Sequence, residues 1–323
     1  MPAPCHSSRA LFSGNTAVTD IADDLLTVRD LLRYAMSRYG DAEIGIGHGT
    51  SEAIDDAVFL ILESLHLPID DINPWLDARL TRAERRLVIE RIDRRVDERM
   101  PTPYLVGKAY IQGVPFVVDP RVIVPRSFVG ELLFSEAFSG EGEASLIRDP
   151  DDILSVADIC TGSGCLAILA AMVFPNAAVD AVDLSEDALD VAAINVDRLG
   201  DGRVGLYHGD LFAPLDGRRY DLIITNPPYV DDEAMAELPD EYRQEPEMAL
   251  AGGLDGLDIV RRIIEAAPDH LNPGGGLLCE VGSDREILEM TYPDLPFVWL
   301  DTAESEGEVF WLSAEDLGVT EDV

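Results

Sequence analysis

The chain has 323 residues, 47% of them hydrophobic, so it can bury a full-sized core with a smaller one beside it; a disordered chain or a disulfide-stapled miniprotein is excluded. Charge is its anomaly: 24 basic against 62 acidic residues leave a formal −38, ill suited to naked nucleic acid, and every basic residue except Lys108 is arginine. Acid excess with so little lysine points to a halophilic setting, where a Debye length of about 3 Å near molar salt lets a carboxylate coat stay hydrated without a specific role.

Residues 1–24 read as an irregular tail. Val28, Leu31, Leu32, Ala35 and Tyr39 then share one helical face, and Ile54, Val58, Ile61 and Leu65 repeat the spacing. Thr81 with Glu84 forms a capping box before Val88, Ile92 and Val96, on a helix whose arginines from Arg82 to Arg99 read as a solvated face. Residues 25–100 are therefore expected to be a helical domain. Over 101–126 the period switches, and the β-branched runs separated by Asp119-Pro120 predict a hairpin linker. The stretch GEGEASLIRDPDD reads as a surface loop.

From Ile153 strands and helices alternate, the pattern of an α/β fold with a parallel sheet. The predicted order is ILSVADI, a helix over Leu166–Phe174, AAVDAVDL, a helix over Glu186–Leu199 capped by Gly200, GRVGLYHG, YDLIITN, a helix around LDIVRRIIEAA, GGLLCEVG, and a closing hairpin of PFVWL and EVFWL. This assigns 127–315 to an α/β domain and 316–323 to a frayed acidic tail. The longest apolar run, Leu166–Phe174, is about half a membrane span, and MPAPCHSSRALFSGN has no signal-peptide core. Cys5, Cys160, Cys165 and Cys279 fit neither a zinc knuckle nor a redox pair, which suggests a cytoplasmic location.

Three motifs carry chemistry. In DICTGSGCLAI, Gly162 and Gly164 let the chain turn tightly and bring bare backbone to a ligand, and Asp183, about twenty residues on, can accept from both hydroxyls of a ribose. Gly162, Gly164 and Ala167 also satisfy the dinucleotide fingerprint, so a nicotinamide oxidoreductase is admissible on this motif. Asp210, after His208-Gly209, reaches the same sheet edge, as either an adenine partner or a helix N-cap. In TNPPYV, the Asn226 side-chain oxygen and the Pro227 carbonyl form two acceptors for one NH2 group, with Tyr229 packed on its plane. An amide nitrogen is a poor nucleophile because its lone pair is delocalised; gripping both hydrogens orients it and favours pyramidalisation. A conjugated NH2 of glutamine or of adenine meets this description. The histidines His6, His48, His66, His208 and His270 are scattered, so no metal is assigned, and Trp75, Trp299 and Trp311 read as packing.

DICTGSGCLAI, Asp183 and NPPYV resemble the class I S-adenosylmethionine-dependent methyltransferases of the NPPY group, and VPFVVDPRVIVPRS with YRQEPEMALAGGLDGLDIVRRI resembles their protein-glutamine methyltransferases. Where the release-factor branch reads P-R-P-E-T-E, this chain has Pro125-Arg126-Ser127-Phe128-Val129-Gly130, similar to the branch acting on ribosomal protein uL3, a partner in the ribosome. The resemblance implies a Rossmann-like, mostly parallel seven-stranded sheet. It implies S-adenosyl-L-methionine held by Asp158, Cys160, Thr161, Gly162, Ser163, Gly164, Asp183, Leu184, Asp210, Leu211 and Asn226. It also implies that Asn226, Pro227, Pro228 and Tyr229 grip the glutamine, whose nitrogen displaces the sulfonium methyl in line, leaving S-adenosyl-L-homocysteine. Ile111 stands where the family commonly has an aromatic ring, for which Tyr110 is a candidate substitute. A release-factor glutamine methyltransferase, an adenine-amine nucleic-acid methyltransferase and a non-catalytic ribosome assembly factor are the alternatives.

Overall fold

The computed structural model describes residues 20–142, 144–303 and 305–320. The expectations for Cys5, His6 and most of the tail 1–24 lie outside the described residues. Helices α1 (Val28–Ala42), α2 (Ala53–Ser64) and α3 (Arg82–Asp97) pack on one another. Thr27 with Asp30 and Thr81 with Glu84 close reciprocal capping boxes at the starts of α1 and α3. Val28, Leu31, Ala35 and Tyr39 meet Val88, Ile92 and Val96 in a small core. The predicted face of α2 is rotated: Ala57, Leu60 and Ile61 are buried, while Ile54 is exposed, because Asp56 turns inward to meet Arg95. Arg95 itself is buried, so the arginine row of α3 is only partly a solvated face.

The stretch expected to be hairpin linker begins instead with a short helix, α4 (Thr102–Val106), followed by β1 (Lys108–Ile111) and β2 (Val114–Val117). The antiparallel turn falls at Gln112 and Gly113, both with positive φ (49° and 73°), rather than at Asp119-Pro120. The hairpin touches both neighbours: Lys108 and Tyr110 bond Glu63 of α2, and the Val117 amide donates to Asn195.

The remaining elements are α5 (Val129–Leu133), β3 (Ser155–Ile159), α6 (Cys165–Val173), β4 (Ala178–Asp183), α7 (Glu186–Leu199), β5 (Val204–His208), β6 (Tyr220–Thr225), β7 (Val230–Asp231), α8 (Asp232–Glu237), β8 (Ala251–Gly253), α9 (Asp258–His270), β9 (Leu271–Glu280), α10 (Arg285–Thr291), β10 (Val298–Leu300) and β11 (Val309–Ser313). Seven strands form one sheet in the order β10-β11-β9-β6-β3-β4-β5, parallel from β9 to β5, with β11 antiparallel to β9 and β10 antiparallel to β11. One apolar layer, including Leu166, Leu169 and Phe174 of the α6 region, covers one face; another, including Val260, Ile263 and Ile264 of α9, covers the other. The chain proceeds from β3 toward β5, then returns to place β6 on the other side of β3. That reversal opens a crevice at the carboxyl ends of β3 and β6.

Gly200 caps α7 as expected, donating its amide to the Val196 carbonyl with right-handed φ (−77°), and the left-handed step follows at Asp201 and Gly202. One smaller expectation is corrected. The described part of the C-terminal tail is not frayed: Leu317 and Val319 pack on the core, and Asp316 accepts from the Ser313 amide and hydroxyl.

Candidate active site

A cavity of about 400 Å³ occupies the crevice. Cys160, Thr161, Gly162 and Ser163 line one side, Asp183, Leu184, Asp210 and Leu211 the floor beyond it, and Asn226, Pro227, Pro228 and Tyr229 the facing wall. These expected site residues, from the ends of four strands, therefore meet at one place. Asp158 and Gly164 do not join them at the wall.

The glycine turn explains that difference. Cys160 (φ 62°), Gly162 (φ 57°) and Gly164 (φ 78°) take left-handed backbone in alternation, which lets the chain leave β3 and enter α6 within a few residues. A Cβ on Gly164 would stand 3.3 Å from the Ala192 Cβ, so this glycine serves the packing of α6 on α7. Asp158 lies under the turn, accepting from the Thr161 hydroxyl at 2.5 Å and the Ala167 amide at 2.9 Å. Burial pushes its carboxyl up to about 7 against those two bonds.

Asp183 does two jobs at once. Its Oδ2 accepts from the Gly162 amide and its Oδ1 from the Ser185 amide, each at 2.8 Å, so it braces the turn while facing the cavity. Burial raises its carboxyl and these amides oppose the rise. Each oxygen retains acceptor capacity for a hydroxyl. Asp210 is not an N-cap: it pairs with Arg262 at 2.7 Å, half exposed at the rim.

On the facing wall, the Thr225 hydroxyl donates to the Ile159 carbonyl at 2.7 Å and ties the end of β6 to that of β3. Asn226, Pro227 and Pro228 follow without helix or strand until β7, and the Val230 amide donates to the Leu250 carbonyl. Tyr229 is boxed in. A Cβ on Gly282 would meet its ring at 2.9 Å, and one on Gly252 would meet its Cα at 2.7 Å. Its hydroxyl donates to Glu280 Oε1 at 2.9 Å, while Glu280 Oε2 accepts from the Ser127 hydroxyl at 2.6 Å and the Phe128 amide at 2.9 Å. Burial raises both groups: the Tyr229 phenol, further raised by the Glu280 charge, and the Glu280 carboxyl, whose donors oppose the rise.

Arg126, Ser127, Tyr242, Glu245 and Arg262 stand in the stretches that carry the family resemblance but receive no role from it, and Glu280 is not singled out at all. A lone acid closing the apolar strand LLCEVG was the available signal for Glu280. Tyr110 does not replace the missing ring, since it turns away to Glu63 and Phe59; Ile111 is buried against Gly130, and the aromatic residues that line the cavity are Tyr229 and Tyr242. The thiols of Cys160 and Cys165 are raised chiefly by burial, Cys165 to about 12.

A nucleoside with a charged amino-acid arm fits these groups: bare backbone at Gly162, a carboxylate at the β4 end and apolar Leu184 and Leu211 beside it. Fold and site together define an S-adenosyl-L-methionine-dependent methyltransferase, and the profile of the methyltransferase small domain matches residues 133–240. The chain is 56% identical over 296 residues to the ribosomal protein uL3 glutamine methyltransferase of Bradyrhizobium diazoefficiens, covering 91% of this chain and 92% of that one. It is 53% identical to the enzyme of that name from Burkholderia pseudomallei (90% and 95% covered) and 52% identical to that from Bordetella pertussis (91% and 97%). The chain belongs to the ribosomal protein uL3 glutamine methyltransferase family.

Proposed function

We propose that this chain methylates the side-chain amide nitrogen of a glutamine in ribosomal protein uL3. The observation that carries this reading is the meeting of Asn226–Tyr229 with the glycine turn and Asp183 across one cavity. S-adenosyl-L-methionine, when bound, supplies an electrophilic methyl group and becomes S-adenosyl-L-homocysteine.

The residues of the chain do the rest. Cys160–Ser163, Asp183, Leu184, Asp210 and Leu211 would hold the methyl donor; Asp158 and Gly164 hold the turn from behind. The Asn226 side-chain oxygen and the Pro227 carbonyl accept the two amide hydrogens, turning the nitrogen lone pair toward the methyl carbon. Pro228 keeps the backbone from curling into a helix, and Tyr229, fixed by Glu280, packs on the amide plane. As the nitrogen becomes tetrahedral it acquires positive charge, which these acceptors stabilise, and the extra proton then leaves to solvent.

The helical residues 25–100 and the hairpin segment 101–126 dock the substrate protein, while 127–315 carry the chemistry. The acidic surface suits a basic ribosomal protein, and with one lysine among its basic residues it suits concentrated salt in a cytoplasm; neither a membrane nor a nucleic acid enters the reaction. Among the described residues no helix is long and apolar enough to cross a membrane.

The test offers labelled S-adenosyl-L-methionine, in high potassium chloride, with unmethylated uL3 and release factors side by side. A methylated glutamine in uL3, located by mass spectrometry and lost with Asn226→Ala, is expected. Label confined to a release factor would move the chain to the other branch, and label confined to added RNA or DNA would overturn a protein substrate.

A further inference from the structure

Glu245 follows the 3-10 turn Tyr242–Gln244, in the segment between α8 and β8, and its side chain is 0% exposed. Two separate stretches converge on it. Oε1 accepts from the Val124 amide and from Arg126 Nη1, each at 2.8 Å; Oε2 accepts from Arg126 Nη2 at 2.8 Å and stands 3.6 Å from His48 Nε2. Val124 and Arg126 belong to the strap that leaves the hairpin, and His48 to the loop between α1 and α2. Burial pushes this carboxyl up, and His48 and the Arg126 guanidinium outweigh it, holding it at about 2.

A second bolt lies four residues earlier. Glu241, also buried, accepts from the Gly45 amide at 2.8 Å and pairs with Arg99 at 3.1 Å and Arg95 at 3.5 Å. Between the bolts sits Tyr242, which lines the methyl-transfer cavity. Its ring lies 4.3 Å from that of His48 and under the Arg126 guanidinium at 5.2 Å, and a Cβ on Gly47 would collide with its hydroxyl. Val124, Arg126 and Pro246 line the same cavity. Stability alone is a poor reason for this arrangement, since apolar residues of the same volume replace a buried ion pair at little or no loss. A two-pronged guanidinium–carboxylate fork does what apolar contact does not: it fixes direction as well as distance.

We propose that Glu245 is a positioning residue that sets the acceptor side of the cavity, holding Arg126 and Tyr242 in place from the 43–50 loop of the helical unit. The proposal rests on the uL3 glutamine reading above. It makes the helical unit part of the acceptor wall as well as a docking surface, because the loop that supplies His48 and the Gly45 amide fixes the segment carrying Tyr242.

Steady-state methyl transfer by the full chain with Glu245→Gln tests it, varying uL3 and S-adenosyl-L-methionine in turn. KM for uL3 is expected to rise about tenfold while KM for S-adenosyl-L-methionine stays within about twofold. A lower maximal rate with both KM values unchanged, matching a loss of folded enzyme, would overturn the proposal. Should that variant not fold, His48→Phe keeps the ring contact with Tyr242 and removes the nitrogen facing Glu245; KM for uL3 is expected to rise about threefold, and no rise would overturn the idea. If the wild-type chain transfers no methyl to uL3, the functional reading fails. The positioning role is then read by hydrogen exchange: in the Glu245 variant, or in His48→Phe if that one does not fold, 43–50 and 241–246 should loosen together with 158–183 unchanged, and loosening of one stretch alone, or of neither, would refute it.

Discussion

Replacing Tyr229 by Phe keeps the ring between Gly252 and Gly282 and removes one hydrogen bond, the 2.9 Å donation to Glu280. Glu280 is 1% exposed, so its ionised form cannot recruit water in exchange, and losing a charge-assisted bond there costs about 1.5–3 kcal/mol. The same bond to a protonated carboxyl is worth about 1 kcal/mol. Glu280 titrates above its ordinary 4.5 in the fold, chiefly through burial, so its ionisation disfavours the folded state. The stability tied to its protonated form is present in full below 4.5 and is lost as pH rises through the raised value. Removing the tyrosine hydroxyl raises that value further. The variant's deficit relative to wild type should therefore grow with pH, from about 1 kcal/mol below pH 4.5 to about 2–3 kcal/mol at a pH well above the raised value. Thermal unfolding of both proteins in molar potassium chloride reads this directly, at about 2–4 °C per kcal/mol. Equal deficits at the two pH values would refute the assignment of Glu280 as the ionised partner of Tyr229. Methyl transfer by the variant should fall by about tenfold, since the ring remains but is less firmly oriented.

Asn226→Ala should lower kcat about 10²–10³-fold, with binding of S-adenosyl-L-methionine by calorimetry changed less than about tenfold, because the side chain serves chiefly the reacting nitrogen. Asp183→Asn should weaken that binding by about 10–100-fold, as the amide cannot both receive the Gly162 N–H and serve two hydroxyls equally well; unchanged affinity would sink the ribose role. Gly164→Ala should destabilise by about 1–2 kcal/mol in denaturant unfolding, from a left-handed φ of 78° and the tight approach to Ala192. Arg95→Ala should destabilise by about 3–5 kcal/mol, since it strands Asp56 and one pairing of Glu241 in the interior.

Elements whose pattern is local were legible. The capping box at Thr81 includes only residues three apart, and the Ile153–Leu312 alternation of apolar strands with amphipathic helices maps directly onto the sheet. The hairpin was legible as a hairpin, but its turn was not: Asp119-Pro120 is the stronger turn dipeptide by composition, and Gln112-Gly113 prevails because its double positive φ matches the twist of paired strands. The face of α2 was misjudged for a different reason, because hydrophobic spacing cannot register that Asp56 would be drawn inward by an arginine 39 residues away. The cavity itself shows the same division. Strand ends carrying Gly162, Asp183 and Asn226 announce themselves through glycine, acid and proline placed after apolar runs. Glu245 and Glu280 do not, since a buried acid is identified only by its donors, and those donors lie 119 to 153 residues distant for Arg126 and Ser127.

Cys160 has one more consequence. A sulfonium methyl donor alkylates thiolates readily, and this half-buried cysteine lines the cavity proposed to hold one. Desolvation, with the Asp183, Asp158 and Asp210 carboxylates around it, keeps the sulfur protonated and therefore a feeble nucleophile. The carboxylates on the cavity floor thus also hold this thiol in its less reactive form. At the β3 end Cys160 therefore supplies small, soft bulk rather than a nucleophile.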